Sequence, residues 1–266
     1  MKYFVISDIH SHYEEMMCVL NESGFELENE NHIIISCGDV WDRGSKPVEV
    51  MVFLLDLYDK NRAILIRGNH EDLLQSLLNR GYLGTYDIHN GTFETIYHLA
   101  WYCTKQKRSK TDVRNDLDYL CSIISKNKTI KRFLNAMVDY YELGDYVFTH
   151  GFIPIGYCYG YPTFNPKWKE SKASEWEKAR FYNGIELCSE YNIKIPNKTI
   201  VVGHYHCSYG NVRLEHGFNI DNQEAYEKYE FSDIKYFKPY YNDGIIAIDS
   251  CVYETKKINC LVLDIE

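Results

Sequence analysis

Carboxylate, imidazole and amide side chains recur in this sequence directly after short apolar runs. Ile33-Ile34-Ile35-Ser36-Cys37 breaks at Gly38-Asp39-Val40-Trp41-Asp42-Arg43-Gly44, and Ala63-Ile64-Leu65-Ile66 breaks at Arg67-Gly68-Asn69-His70-Glu71. Tyr3-Phe4-Val5-Ile6 delivers Ser7-Asp8-Ile9-His10, Tyr146-Val147-Phe148-Thr149 delivers His150-Gly151, and Thr199-Ile200-Val201-Val202 delivers Gly203-His204-Tyr205-His206. Hard oxygens and imidazoles gathered on one rim are the donors a divalent cation takes. A lone histidine is more often a structural hydrogen-bonding residue, but repetition of one arrangement along the whole chain points to a metal centre.

The elements that must position these groups follow from the same pattern. The apolar runs are β-branched, short and bounded by glycine, which predicts buried strands. Between the second and third runs, Val48, Met51, Val52, Leu54, Leu55 and Tyr58 recur at helical spacing, so the stretch reads as strand-helix-strand. Such a unit keeps its strands parallel and brings both strand ends to one edge, which predicts Asp39 beside Asn69. Glycines at 38, 44 and 68 allow the turns. Asp8 and His10, two apart on an extended backbone, are expected to face one side.

Glu14 to Leu20 reads as a helix ended near Gly24, and a further helical pattern runs from Glu71 to Leu78. A helical insertion is expected at about 85–143, with helices at Phe93–Cys103, Asp112–Ser125 and Ile130–Tyr141 and a basic break at Lys105–Lys110. It serves either as structural cover or as a substrate gate. Pro154 to Lys198 is aromatic and turn-rich with a helix near Ala173–Tyr182, Gly210 to Asp243 reads as irregular, and Gly244–Asp249 and Asn259–Asp264 read as a terminal pair of strands. No repeat or linker divides the chain, so one domain over 1–266 is expected.

With 266 residues, 45% hydrophobic and 25% charged, the chain has the composition of a globular protein with a sizeable core. A net charge of -9 argues against binding a nucleic-acid backbone. No apolar run reaches the length of a membrane span and Met1 leads straight into a strand, so a cytoplasmic location without membrane attachment is expected. No feature specifies an oligomeric state. The nine cysteines include no Cys-x-x-Cys pair and read as free thiols; Cys37 and Cys207 flank the motifs, yet neither has a base beside it to make it a nucleophile.

Taken together, Asp8-Ile9-His10, Gly38-Asp39-Val40-Trp41-Asp42-Arg43-Gly44, Arg67-Gly68-Asn69-His70-Glu71, His150-Gly151 and Gly203-His204 resemble the strand-end motifs of the calcineurin-like metallophosphoesterases. The Asp-Arg-Gly and Arg-Gly-Asn-His-Glu forms most resemble the phosphoprotein phosphatase branch, with its bacterial and phage members. The resemblance implies an α/β fold, a four-layer α-β-β-α sandwich holding two divalent ions of manganese, iron or zinc. It implies Asp39 as the bridging ligand, Asp8 and His10 on one metal, and Asn69, His150 and His204 on the other. It further implies hydrolysis by a metal-activated hydroxide, with His70 protonating the leaving oxygen, Asp42 orienting His70, and Arg43 clamping the phosphate.

Ser7 and Ser11 stand where that branch usually carries glycine. His206 departs further, since a Gly-His-x-His ending belongs to the broader superfamily, where the second histidine binds the first metal; His206 is therefore expected as an extra ligand. Arg180 is a candidate for a second phosphate contact. The leading expectation is a serine/threonine protein phosphatase acting on phosphoproteins. Alternatives are hydrolysis of a dinucleoside polyphosphate or other small phosphoester, for which the tyrosine-rich rim could stack a base, and a catalytically silent binding module.

Overall fold

The structure is a computed structural model and describes residues 1–217 and 228–265. Strands alternate with helices in its first part: β1 (Lys2–Ile6), α1 (Tyr13–Glu22), β2 (His32–Cys37), α2 (Pro47–Asp59), β3 (Ala63–Ile66) and α3 (Asn69–Arg80). The stretch expected to be a helical insertion follows as α4 (Thr85–His89), α5 (Thr92–Thr104), α6 (Lys110–Asn115), α7 (Leu117–Lys126) and α8 (Lys128–Ala136). Beyond it come β4 (Tyr140–Leu143), β5 (Tyr146–Thr149), the hairpin β6 (Gly156–Cys158) and β7 (Tyr161–Thr163), α9 (Ala173–Ala179), α10 (Gly184–Ser189), β8 (Thr199–His206) and α11 (Cys207–His216). β9 (Tyr240–Asn242), β10 (Ile245–Asp249) and β11 (Leu261–Asp264) complete the sheets.

Beside the two-stranded β6-β7 hairpin, two larger sheets form among the described residues, one ordered β11-β1-β2-β3 and the other β4-β5-β8-β10-β9. β1, β2 and β3 run parallel, as do β5, β8 and β10, so the strand ends that carry the motifs open on shared edges. Side-chain alternation explains the layering. Tyr3, Val5, Ile33 and Ile35 pack against Phe148, Val201, Ile246 and Ile248 between the sheets. Their neighbours Phe4, Ile6 and Ile34 face α1, α2 and the insertion, while Val147, Ile200, Val202, Ile245 and Ala247 face the helices of the second half. The expected four layers are present, with strands buried on both faces, which is why their sequences are continuously apolar.

Local expectations changed where long-range pairing intervened. The helix expected over Ile130–Tyr141 ends at Ala136, and Tyr140–Leu143 becomes an edge strand because it finds β5 as an antiparallel partner. The helix expected over Asp112–Ser125 is divided at Asp116 into α6 and α7. Gly244–Asp249 and Asn259–Asp264 contain strands that lie in different sheets, β10 beside β8 and β11 beside β1. α11 occupies part of the stretch expected to be irregular from Gly210, and 218–227 lies outside the described residues. Among the described residues no helix is long and apolar enough to cross a membrane.

Candidate metal centre and acid pair

The ends of β2 and β3 are adjacent, and Asp39 lies against the start of α3: its Oδ1 accepts the His70 amide at 2.9 Å. The approach is possible because residue 68 is glycine, since a Cβ there would stand 2.2 Å from Asp39 Oδ1. Glu71, fully buried in the first turn of α3, accepts the amides of Gly68 at 2.8 Å, Val40 at 2.9 Å and Asp39 at 3.1 Å. One carboxylate thus ties the second motif to the third. The motif was recognised as a unit, but this role of Glu71 was missed; an acidic residue in the first turn of a helix was the available signal.

Two groups of donors share Asp39: His10 and His70 with Asp39, and His150 and His204 with Asp39, each group gathered within 4.8 Å. His10 Nε2 is 3.9 Å and His70 Nε2 3.8 Å from Asp39 Oδ2, and His150 Nε2 is 3.2 Å from Asp39 Oδ1. Asn69 Oδ1 completes the second group, 2.8 Å from His150 Nε2. The Nδ1–H of His10 donates to the Trp41 carbonyl at 2.9 Å and that of His150 to the Cys37 carbonyl at 2.7 Å. A carbonyl can only accept, so these bonds aim both Nε2 atoms inward, as a metal site requires.

The electrostatics suit cations as well. Burial, reinforced by His70 and Arg43, lowers the His10 pKa well below its ordinary value, and burial with His150 lowers His204 to about 3, so both rings are neutral donors. Burial alone would raise Asp39, but His150 and His70 outweigh it and hold the carboxyl well below its usual range. His150 is pushed up to about 10, since Asp39 overcomes the penalty of burial. Burial and the neighbouring Asp249 raise Asp8 to about 8. Crowded buried carboxylates are costly without compensating positive charge, so the donor set fits divalent ions.

Backbone strain marks the same rim. Asp8, His10, Ser11, Asp39, Asp42, Arg43 and His204 all have positive φ, between 46° and 73°. Such conformations cost about 1–3 kcal/mol each and persist where surrounding bonds impose them. Asp8 and His10 are therefore not presented by the extended backbone that the sequence reading assumed. Asp8 instead turns its carboxylate to the His204 amide, with contacts of 3.0 and 3.2 Å, and lies outside both donor groups.

His206 also stands outside them. It is the last residue of β8, where the pairing with β10 shifts register, and its ring lies 3.5 Å from Glu230 and 3.9 Å from Asp249. Although burial opposes charge there, Asp249 raises its pKa to about 11. The expected extra ligand is thus engaged with carboxylates. Asp249 was not singled out from sequence, although it ends an apolar strand as the other motif residues do. Arg180, expected to offer a phosphate contact, is buried and paired with Asp139 at 2.8 Å and Asp72 at 3.1 Å.

His70 and Asp42 form a buried pair, Nδ1 to Oδ2 at 2.7 Å. Against the effect of burial, Asp39 and Asp42 raise the His70 pKa. Arg43 is exposed beside it, with Nη2 3.5 Å from His70 Nε2. Burial raises Cys37 and Cys207 well above the usual thiol range, which removes both as nucleophiles.

A 76-residue stretch is 38% identical to the asymmetrical bis(5'-nucleosyl)-tetraphosphatase PrpE of Bacillus velezensis, covering 26% of this chain and 30% of that protein. Another of 80 residues is 36% identical to the serine/threonine-protein phosphatase rdgC of Drosophila melanogaster, covering 29% of this chain and 11% of that protein. The matched stretches are thus a third or less of each relative's length. The fold is similar to that of a cold-active protein-tyrosine phosphatase from a psychrophilic Shewanella species, at a TM-score of 0.51 and 16% identity, over 99% of this chain and 75% of the other. The profile of the calcineurin-like phosphoesterases, a family generally built on a dinuclear divalent metal centre, matches residues 1–208, and the chain belongs to that family.

Proposed function

We propose that this chain hydrolyses phosphoric esters at a two-cation centre, with His70 as the acid that protonates the leaving oxygen. The observation that carries this reading is the pair of donor groups sharing Asp39, the first of which contains His70 with its Nδ1 held by Asp42. Asp39 would bridge the ions, His10 and Asp8 would serve one, and Asn69, His150 and His204 the other, with His206 joining only on leaving its carboxylate partners. Two divalent ions in such a site supply an activated water and neutralise phosphoryl oxygens. Asp42 accepts the Nδ1 proton of His70 and so leaves Nε2 as the nitrogen that faces the reacting group. Arg43 is positioned to hold phosphoryl oxygens through its guanidinium.

The substrate class that the motifs favour is phosphoserine or phosphothreonine in proteins, with manganese, iron or zinc in the site. A second reading, hydrolysis of a dinucleoside polyphosphate, is supported by an aromatic shoulder next to His204. Phe181 is 46% exposed and its ring centroid is 6.1 Å from that of His204; Tyr205 is 38% exposed at 5.1 Å. Rings in such a position can stack a base. The similarity to a bis(5'-nucleosyl)-tetraphosphatase supports the same reading.

The test is initial-rate hydrolysis by metal-stripped protein reconstituted with manganese, on phosphoserine and phosphothreonine peptides and on diadenosine tetraphosphate. Faster turnover of the peptides supports the first class and faster turnover of the dinucleotide the second. Stoichiometric metal without turnover of any phosphoester overturns both in favour of a silent binding module.

A further inference from the structure

The insertion reaches the acid pair with two hydroxyl groups. Thr92 and Thr95 are the first and fourth residues of α5, so they share one face of its opening turn. Thr92 Oγ1 donates to Asp42 Oδ2 at 2.7 Å and Thr95 Oγ1 to Asp42 Oδ1 at 2.6 Å. Thr95 Oγ1 also accepts the Asp42 amide at 3.0 Å. That amide occupies the Thr95 oxygen as an acceptor, which commits the hydroxyl proton to the carboxylate. Both threonines are buried and Asp42 is fully enclosed, so no solvent competes for these bonds.

The backbone makes the contact close. Asp42 and Arg43 form a turn with φ of 73° and 63°, and α5 begins against it. Residue 91 must be glycine here: its φ is +84°, and a Cβ would stand 2.5 Å from the Arg43 nitrogen. The start of a helix also places its positive dipole end toward the Asp42 carboxylate. Asp42 Oδ2 thus receives the His70 ring and Thr92, while Oδ1 receives Thr95.

We infer that Thr92 and Thr95 are positioning residues for the leaving-group acid, and that the helical insertion is part of the catalytic apparatus through α5. This inference rests on the reading of His70 as the acid. The two hydroxyls hold the carboxylate in one rotamer, and the carboxylate in turn holds the imidazole so that Nε2 faces the reacting oxygen. Neither threonine touches substrate.

The experiment compares Thr92→Val, Thr95→Val, the double variant, and the Thr92→Ser and Thr95→Ser rescues, using 4-nitrophenyl phosphate and an alkyl phosphate such as a phosphoserine peptide. Nitrophenolate departs with little protonation, whereas an alkoxide needs the acid. The double variant is expected to lose on the order of 10- to 100-fold in kcat on the alkyl ester and under about threefold on the nitrophenyl ester, within the range of general acid catalysis. KM and bound manganese should be unchanged, and serine should restore most of the rate. In metal-free protein, the downfield proton resonance that disappears in His70→Asn should broaden or shift in the valine variants; this readout, with the single variants, serves if the double variant folds poorly.

Equal losses on both esters, or wild-type rates on the alkyl ester, overturn the inference. If His70→Asn itself loses both esters equally, the acid reading fails and this inference with it. If His70→Asn discriminates between the esters and the threonine variants do not, only this inference fails.

Discussion

The two rims of the site are held in different ways. On the first sheet, the loops after β1 and β2 are bonded to each other through the backbone: His10 donates to the Asp39 carbonyl, Ser11 to that of Val40 and Gly44 to that of His10. Glu71 adds three amides and α5 adds two hydroxyls. On the second sheet, His150 and His204 come from single strand ends, His206 has turned to Asp249 and Glu230, and the register between β8 and β10 slips beside them. Loops tied together by several backbone and carboxylate bonds build a rigid bracket; on the second sheet the Gly203 amide bonded to the His150 carbonyl is the tie between β5 and β8, and the side chains beyond it take separate partners. The first rim is therefore the more tightly braced, and the second supplies the His150 and His204 donors.

The largest expected effect tests what joins the rims. Asp39→Ala removes the carboxylate common to both donor groups and should lower both manganese content and turnover by more than about 100-fold, measured by metal analysis and initial rates. Retained activity in such a variant without metal would break the comparison outright. His70→Asn belongs to the first rim alone: turnover of an alkyl phosphate should fall by roughly 100-fold or more while bound metal stays near the wild-type level.

Glu71→Ala tests the bracket itself. Three buried amides lose their acceptor, so stability should fall by about 2–4 kcal/mol, read as a melting temperature lower by roughly 4–10 °C. A change within error would mean that the loops hold without it. His206→Gln is expected to have the smallest effect, with manganese affinity changing less than the roughly 10–100-fold that follows loss of a ligand's orienting partner. A larger loss would show that His206 swings to the metal once it is loaded and would make the second rim a mobile part of the centre.

The fold was legible because the strands buried on both faces have no charged residue within their apolar runs, and the parallel edge follows from strand-helix-strand order. The carboxylate, imidazole and amide residues stood out in the sequence because they follow the ends of such runs. Conformation at those breaks was less so: Asp8 and His10 were expected on extended backbone, yet have φ of 52° and 46°, because bonds to the β2 loop impose the turn.

Sequence by itself determined the buried strands, their strand-helix-strand order and the shared edge, since these depend on side-chain periodicity and on neighbours close along the chain, while the four layers followed from the family resemblance. Tertiary structure alone decided which groups pair. Thr92 and Thr95 reach Asp42 across separations of 50 and 53 residues, Tyr140–Leu143 becomes a strand only beside β5, and His206 takes its direction from Asp249. A hydroxyl, an edge segment or an imidazole has several satisfactory partners in isolation, and burial in the assembled fold leaves it one.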